Sequence, residues 1–90
     1  MTQISYGIKV TNLYDKNLKL ITLRDYEDFF VSEGITFLEY LYFWFSSYPE
    51  IEKRYPPGIL GFILNGHRPT QFEILNNGDE IRFFVVKEPN

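Results

Sequence analysis

The sequence predicts an α+β fold: a mixed sheet of four to five strands with one main helix packed across one face. Three observations predict it. Residues 4–11 alternate apolar and polar, as a half-buried strand does. Residues 36–48 carry a helix-start signal followed by a broad apolar face. The last third holds two apolar runs, each meeting an Asn-Gly pair, at Asn65-Gly66 and Asn77-Gly78. Asn and Gly tolerate positive φ, so each pair can reverse or end a strand.

The elements follow in order. Ile4, Tyr6, Ile8 and Val10 lie on one face of the first strand, and Ser5, Gly7, Lys9 and Thr11 on the other. Asp15-Lys16-Asn17 reads as a turn, and 18–23 as a second strand, so the two form an N-terminal hairpin. In 24–34, Asp25 is read as the cap of a short helical turn carrying Tyr26, Phe29 and Phe30. Thr36 and Glu39 make a capping box, with Ile35 placed to pack on Tyr40. At about 100° per residue, Phe37, Leu38, Leu41, Trp44, Phe45 and Tyr48 share one face of the helix. Glu39, Ser46 and Ser47 lie opposite, and Tyr42 and Phe43 flank that polar wedge as the rings expected to be exposed. Pro49 stops or restarts the helix, residues 50–55 add a short turn, and Pro56-Pro57-Gly58 breaks it. The continuous apolar run 59–64 reads as a central strand, and 71–74 as a short one. Residues 80–87 are the last strand, with Ile81, Phe83 and Val85 alternating against Arg82, Phe84 and Val86.

Composition narrows the function classes. Ninety residues make one domain, 1–90, which buries roughly 60–65% of its unfolded surface. Aromatic residues are 19% of the chain, with nine Phe and seven Tyr, more than so small a core needs; some rings are therefore expected at the surface, serving a partner. The net charge is −3 and the basic residues are dispersed, which argues against nucleic acid as a partner. No apolar run approaches the roughly 18–20 residues of a membrane span. No N-terminal basic region marks a signal peptide, so the expected compartment is the cytoplasm. There is no Cys, which excludes disulfides, thiolate catalysis and zinc–thiolate sites.

The residues that could carry chemistry are few. His67, the only histidine, sits in a turn beside Arg68 without metal-ligand spacing around it, and reads as a solvent-exposed turn residue. Asp25, Glu27, Asp28 and Glu33 form an acidic stretch, read as a solvated surface with a docking patch for a basic partner as the sharper alternative. Gly58, Gly61 and Gly66 lack the spacing and the Lys-Ser/Thr pair of a phosphate loop. No catalytic residue, cofactor-binding residue or metal ligand is assigned. Asn65, Gly66, Asn77, Gly78 and Asp79 are read as structural turn residues, with Asp79 bracing its own turn. Tyr42, Phe43, Phe84 and Val86 are the candidate partner surface, unless the 24–34 segment covers them.

Three short motifs, in order, carry a resemblance. Tyr48-Pro49-Glu50-Ile51 resembles the Tyr-Pro-Glu-Leu that often follows the helix in the small subunit of molybdopterin synthase. Phe62-Ile63-Leu64-Asn65-Gly66 resembles that family's Val-Ala-Val-Asn-Gly, and Leu75-Asn76-Asn77-Gly78-Asp79-Glu80-Ile81 its Leu-x-x-Gly-Asp-Glu-Val. The Asn-Gly and Gly-Asp-Glu pieces occur also in thiamine sulfur carriers and in TGS domains. The chain thus resembles the ubiquitin-like β-grasp superfamily of sulfur carriers over roughly Thr36 to Val86. The resemblance implies first and last strands paired in parallel at the sheet centre. It also implies chemistry at a terminal Gly-Gly, adenylated and then sulfurated by a partner enzyme. Pro89 and Asn90 stand in those places here. The expectation is therefore a non-catalytic ubiquitin-like protein acting through protein–protein contact, with a protein partner or by self-association, and without cofactor, nucleic acid or membrane. The alternatives are a molybdopterin or thiamine sulfur carrier whose Gly-Gly tail lies beyond this sequence or is exposed by processing, and a TGS-like domain binding RNA or a nucleotide.

Overall fold

The computed structural model describes residues 7–56 and 58–86. The first strand, β1 (Gly7–Tyr14), buries Ile8, Val10, Asn12 and Tyr14 on one face. Its alternation continues past Thr11 to Tyr14, whereas Ile4 and Tyr6 lie outside the described residues. The last strand, β4 (Glu80–Val85), runs parallel to β1, with Tyr14 opposite Phe83 and Asn12 opposite Ile81. These two form the centre of a four-stranded sheet, as the resemblance implied.

Residues 18–23 are not a strand. They belong to helix α1 (Lys16–Thr22), because the Asp15 carboxylate accepts the Leu18 N–H at 2.8 Å and starts a helix. Leu23, at φ 62°, ends it in the left-handed region. Leu18 and Thr22, four apart, are the buried residues of α1. The hairpin partner of β1 is instead β2 (Tyr26–Ser32), antiparallel, with Val10 opposite Phe29. The expected helical turn at Asp25 is thereby overturned. Glu27, Phe29 and Val31 turn inward while Tyr26, Asp28, Phe30 and Ser32 are exposed, and that period of two belongs to a strand.

Helix α2 (Phe37–Ser47) has its capping box intact: Thr36 Oγ1 accepts the Glu39 N–H at 3.2 Å and Glu39 Oε1 accepts the Thr36 N–H at 3.0 Å. Phe37, Tyr40 and Trp44 are its buried residues, spaced three and four apart. Leu38, Leu41, Phe45 and Tyr48 are half-buried, and Tyr40, expected only as a packing partner of Ile35, is in the core. Pro49 restarts the chain as helix α3 (Pro49–Arg54), where a missing N–H costs nothing at the first turn.

Strand β3 (Leu60–Leu64) pairs only with β4, so the sheet order is β2-β1-β4-β3 and the apolar run is an edge strand, not a central one. Its apolar residues reflect packing on both faces: Phe62 meets Phe37 and Phe83 on the helix side, while Gly61 lies under the Phe84 ring on the other. The short strand expected at 71–74 is a single bridge between Ile74 and Thr36, because the carbonyls of Gln71 and Glu73 are taken by the free N–H groups of Leu38 and Phe37 at the start of α2.

The core sits between α2 and the sheet, and at its middle Trp44 packs on Phe83 with ring centroids 4.2 Å apart and planes tilted by 44°. A polar network crosses it. The Tyr14 hydroxyl accepts from Asn12 Nδ2 (3.2 Å) and Trp44 Nε1 (2.9 Å) and donates to Glu27 Oε1 (3.0 Å). Tyr48 donates to the same carboxylate oxygen at 2.6 Å. Among the described residues, no buried side-chain polar atom lacks a partner.

Candidate functional site

Sheet geometry sorts the candidate residues. Side chains alternate across a strand, so Ile81 and Phe83 face α2 while Arg82 and Phe84 face away from it. On that second face Arg82 is exposed and Phe84 half-buried, and Val86 beyond them is 62% exposed. The Phe84 ring is only half-buried, and what covers it is β3: a Cβ on Gly61 would stand 2.4 Å from two of its ring carbons and 3.0 Å from Val86 Cγ2. Glycine here lets an aromatic ring lie flat over the strand. The result is an apolar hollow of about 470 Å³, lined by Gly61, Ile63, Arg68, Pro69, Phe84 and Val86 and reaching round the outer edge of β3 to Phe37 and Phe62.

A second hollow of about 290 Å³ lies on the helix side of the same strand, among Leu41, Tyr42, Phe45, Tyr55, Leu60 and Phe62, with Glu52 as its one carboxylate. Gly58, Leu60 and Phe62 border both hollows, so β3 forms the ridge between them. Tyr42, 67% exposed, stands over the second hollow.

The candidate surface residues are thus divided. Tyr42 on one side, and Phe84 and Val86 on the other, flank β3. Phe43 is elsewhere: its ring meets Phe29 of β2 edge-on at 5.4 Å, at the far border of the sheet. The 24–34 segment therefore touches Phe43, and two strands separate it from β3. Gly61, Leu41, Phe45 and Leu60 were not assigned to the partner surface from sequence; the signal that could have found Gly61 is a glycine inside an apolar strand, which marks close approach by another group.

The turn residues form a linked frame. Gly66 and Gly78 have φ of 91° and 89°, and Asn65 has φ 47°. Asp79 accepts from the Asn76 N–H at 2.7 Å and from Asn65 Nδ2 at 2.8 Å, while Asn65 Oδ1 accepts the Glu80 N–H at 2.9 Å. Asn77 Oδ1 accepts the Lys9 N–H at 2.8 Å, fastening the same turn to β1. These bonds hold the ends of β3 and β4 in register.

Titratable groups are engaged structurally. His67 Nε2 meets Glu73 Oε2 at 2.7 Å on the surface, and that hydrogen bond holds the Glu73 carboxyl below its usual range. Burial raises the Tyr14 and Tyr40 hydroxyls well above the ordinary phenol value, and pushes Tyr48, which also donates to Glu27, up to about 12. Glu27 belongs to this interior network rather than to a solvated acidic surface. Among the described residues, no group of three or more His, Asp or Glu is placed to hold a metal, and no helix is long and apolar enough to cross a membrane.

Comparison with known proteins agrees on the fold. No protein-family model matches the chain, and no curated protein matches it in sequence. Solved structures do. One is a Pyrococcus furiosus protein assigned as molybdopterin converting factor subunit 1, at 18% identity and TM-score 0.78, covering 87% of this chain and 97% of its own. Another is small archaeal modifier protein 1 of Haloferax volcanii, at 18% identity and TM-score 0.76, covering 88% and 98%. A third is the small archaeal modifier protein 1 of Methanosarcina acetivorans, at 13% identity and TM-score 0.72, covering 94% and 99%. The chain has the ubiquitin-like β-grasp fold that these proteins share.

Proposed function

We propose that this chain is a non-catalytic ubiquitin-like protein that works by binding another protein, through the surface around β3. The observation that carries the reading is the pair of apolar hollows on either side of that strand, with Tyr42 over one and Phe84 and Val86 in the other. Aromatic and aliphatic side chains held at the surface by a rigid sheet are what the buried centre of a protein interface is made of. A single basic side chain, Arg68, and a single carboxylate, Glu52, border the hollows and can set the orientation of a partner. The similarity to small archaeal modifier proteins supports the same reading at the level of fold.

The test uses Tyr42→Glu and Val86→Glu, both at exposed positions, in sedimentation velocity and in capture from host lysate. The wild type is expected to form a complex with a protein partner or with itself, and each substitution to remove it. A wild-type chain that stays monomeric and retains nothing, or a complex indifferent to both substitutions, would sink the proposal.

A second reading is a sulfur carrier for molybdopterin or thiamine biosynthesis. It is favoured by the Asn65-Gly66 and Gly78-Asp79-Glu80 motifs and by the similarity to the Pyrococcus furiosus protein assigned as molybdopterin converting factor subunit 1. Intact mass spectrometry of the native protein decides it. A terminal glycine bearing a sulfur-for-oxygen exchange is the expected mark, and a native protein without either rules the reading out.

A further inference from the structure

We propose that the free edge of β2 takes up an extended, basic segment of a partner protein as a fifth strand of the sheet. This rests on the reading that the chain works through protein contact, and it adds a second surface with a defined chemistry. The Tyr14 N–H donates to the Asp25 carbonyl at 2.9 Å. In an antiparallel ladder alternate residues bond the partner, so residues 25, 27, 29 and 31 face β1. The backbone groups of Tyr26, Asp28 and Phe30 therefore point out of the sheet. Among the described residues no hydrogen bond from outside the ladder reaches them. At the other border of the sheet the Leu64 backbone is already occupied by His67, donating and accepting in a tight turn, and only Leu60 and Phe62 keep outward backbone groups without a partner among the described residues.

The charged side chains of the edge strand are both acidic: Glu27, turned inward, and Asp28, on the outer face. β2 contains no Pro and no Lys across seven residues. Tyr26 and Phe30 stand on its outer face at 61% and 76% exposure, with Asp28 between them. An added strand would place alternate side chains on those two rings and its central one against a carboxylate.

Charge selects the occupant. Residues 24–34 hold four carboxylates and one cation; Asp25 meets Lys19 at 2.8 Å and Glu27 turns into the interior network, which leaves Asp28 and Glu33 as the exposed carboxylates of the segment without an ion pair among the described residues. A second copy pairing through β2 would set these carboxylates against each other, and like charges across a strand pair are destabilising. A lysine- or arginine-bearing strand meets the opposite arrangement. Nucleic acid is refused by the same charges.

The probe is a blocked synthetic peptide of alternating lysine and valine, with a glutamate-for-lysine counterpart as control, titrated into the full chain and followed by backbone amide shifts. The basic peptide is expected to move the amides of Tyr26, Asp28, Phe30 and Ser32 and the acidic one to leave them still. In Phe30→Pro an outward N–H is removed while the β1 ladder keeps its bonds, and affinity is expected to fall about tenfold or more. Asp28→Lys, at an exposed side chain, is expected to reverse the preference between the two peptides, and tests the charge argument should Phe30→Pro lose its dispersed spectrum. Equal binding of both peptides, shifts centred elsewhere, or unchanged affinity in Phe30→Pro would overturn the proposal. So would concentration-dependent shifts of the same amides without peptide, which would make a second copy the occupant. A partner complex that survives both β2 substitutions but is lost with Val86→Glu overturns the edge proposal and leaves the interaction reading standing. A wild-type chain that takes up the basic peptide at β2 yet retains no protein overturns the reading based on β3 and leaves the edge supported.

Discussion

The hydroxyl of Tyr40 donates to Oδ1 of Asn12 at 2.7 Å, with both side chains fully buried, and so ties the middle of α2 to the central strand β1. The other end of the Asn12 amide donates to the Tyr14 hydroxyl. Among the described residues every buried polar side-chain atom has a partner, so each partner is costly to remove.

Tyr40→Phe strands the Asn12 carbonyl oxygen in the core and is expected to cost about 1–3 kcal/mol. Asn12→Ala strands the Tyr40 hydroxyl, takes one of two donors from the Tyr14 hydroxyl and leaves a cavity, and is expected to cost more. In the double variant the penalty of the lost bond is counted once. Urea denaturation of the four proteins should therefore show a total smaller than the sum of the single changes. Strict additivity would mean that the bond carries no coupling.

Asp15 joins two parts of the chain with one carboxylate. Oδ1 caps α1 at the Leu18 N–H, and Oδ2 accepts the Val85 N–H at 2.8 Å at the end of β4. Asp15→Ala should lower stability by about 2–3 kcal/mol, the loss of a cap together with an unpaired N–H. Asp15→Asn keeps one acceptor and should recover part of that. Amide exchange would check the mechanism: Val85 and the first turn of α1 should lose protection together.

Gly61 leaves room for the Phe84 ring, so Gly61→Ala must displace it. The expected cost is about 1–3 kcal/mol, the usual range for overpacking. Ring-proton shifts of Phe84 should change, and the surface hollow should be disrupted with them. Adding Phe84→Ala should relieve the strain. A Gly61→Ala protein as stable as the wild type, with an unmoved Phe84 ring, would contradict the close approach.

The Glu39 carboxyl is held below its ordinary value of 4.5, first by the Thr36 backbone N–H and then by the Thr36 hydroxyl. A depressed folded-state pKa contributes stability that is present above the unfolded value and lost as pH falls through the folded one. Melting temperatures of wild type and Glu39→Gln should differ near neutral pH and converge as the pH drops below 4.5. A gap that stays constant into acid would remove the carboxylate from the capping box.

Tyr14, Tyr40 and Tyr48 have the opposite sign. Their folded-state pKa values lie above the ordinary 10.0, so the stability they contribute is complete below 10.0 and lost as pH rises through the folded values. Ultraviolet titration should show Tyr48 ionising near 12, and Tyr14 and Tyr40 ionising only as the chain unfolds in alkali.

The candidate surface was legible in part. Helical periodicity alone placed Tyr42 beside the polar wedge of α2, and strand alternation alone set Phe84 and Val86 opposite Phe83. That Tyr42 and Val86 stand on either side of one strand was not legible, because strand order is a long-range property. The free edge at β2 was hidden for the same reason: which strand borders a sheet depends on what pairs with it.

What the sequence determined by itself were the elements whose signals are local. Thr36 and Glu39 sit three residues apart and cap α2 without help, Asn65-Gly66 and Gly78 supply the positive φ their turns require, and β4 alternates within six residues. Only tertiary structure decided residues 18–23 and 26–32. Their local preferences for helix and strand are nearly balanced, as alternating Leu, Lys and aromatic residues are. The balance was tipped by partners far along the chain: the Asp15 cap is braced by Val85, 70 residues away, and β2 exists because β1 lies beside it to complete its hydrogen bonds.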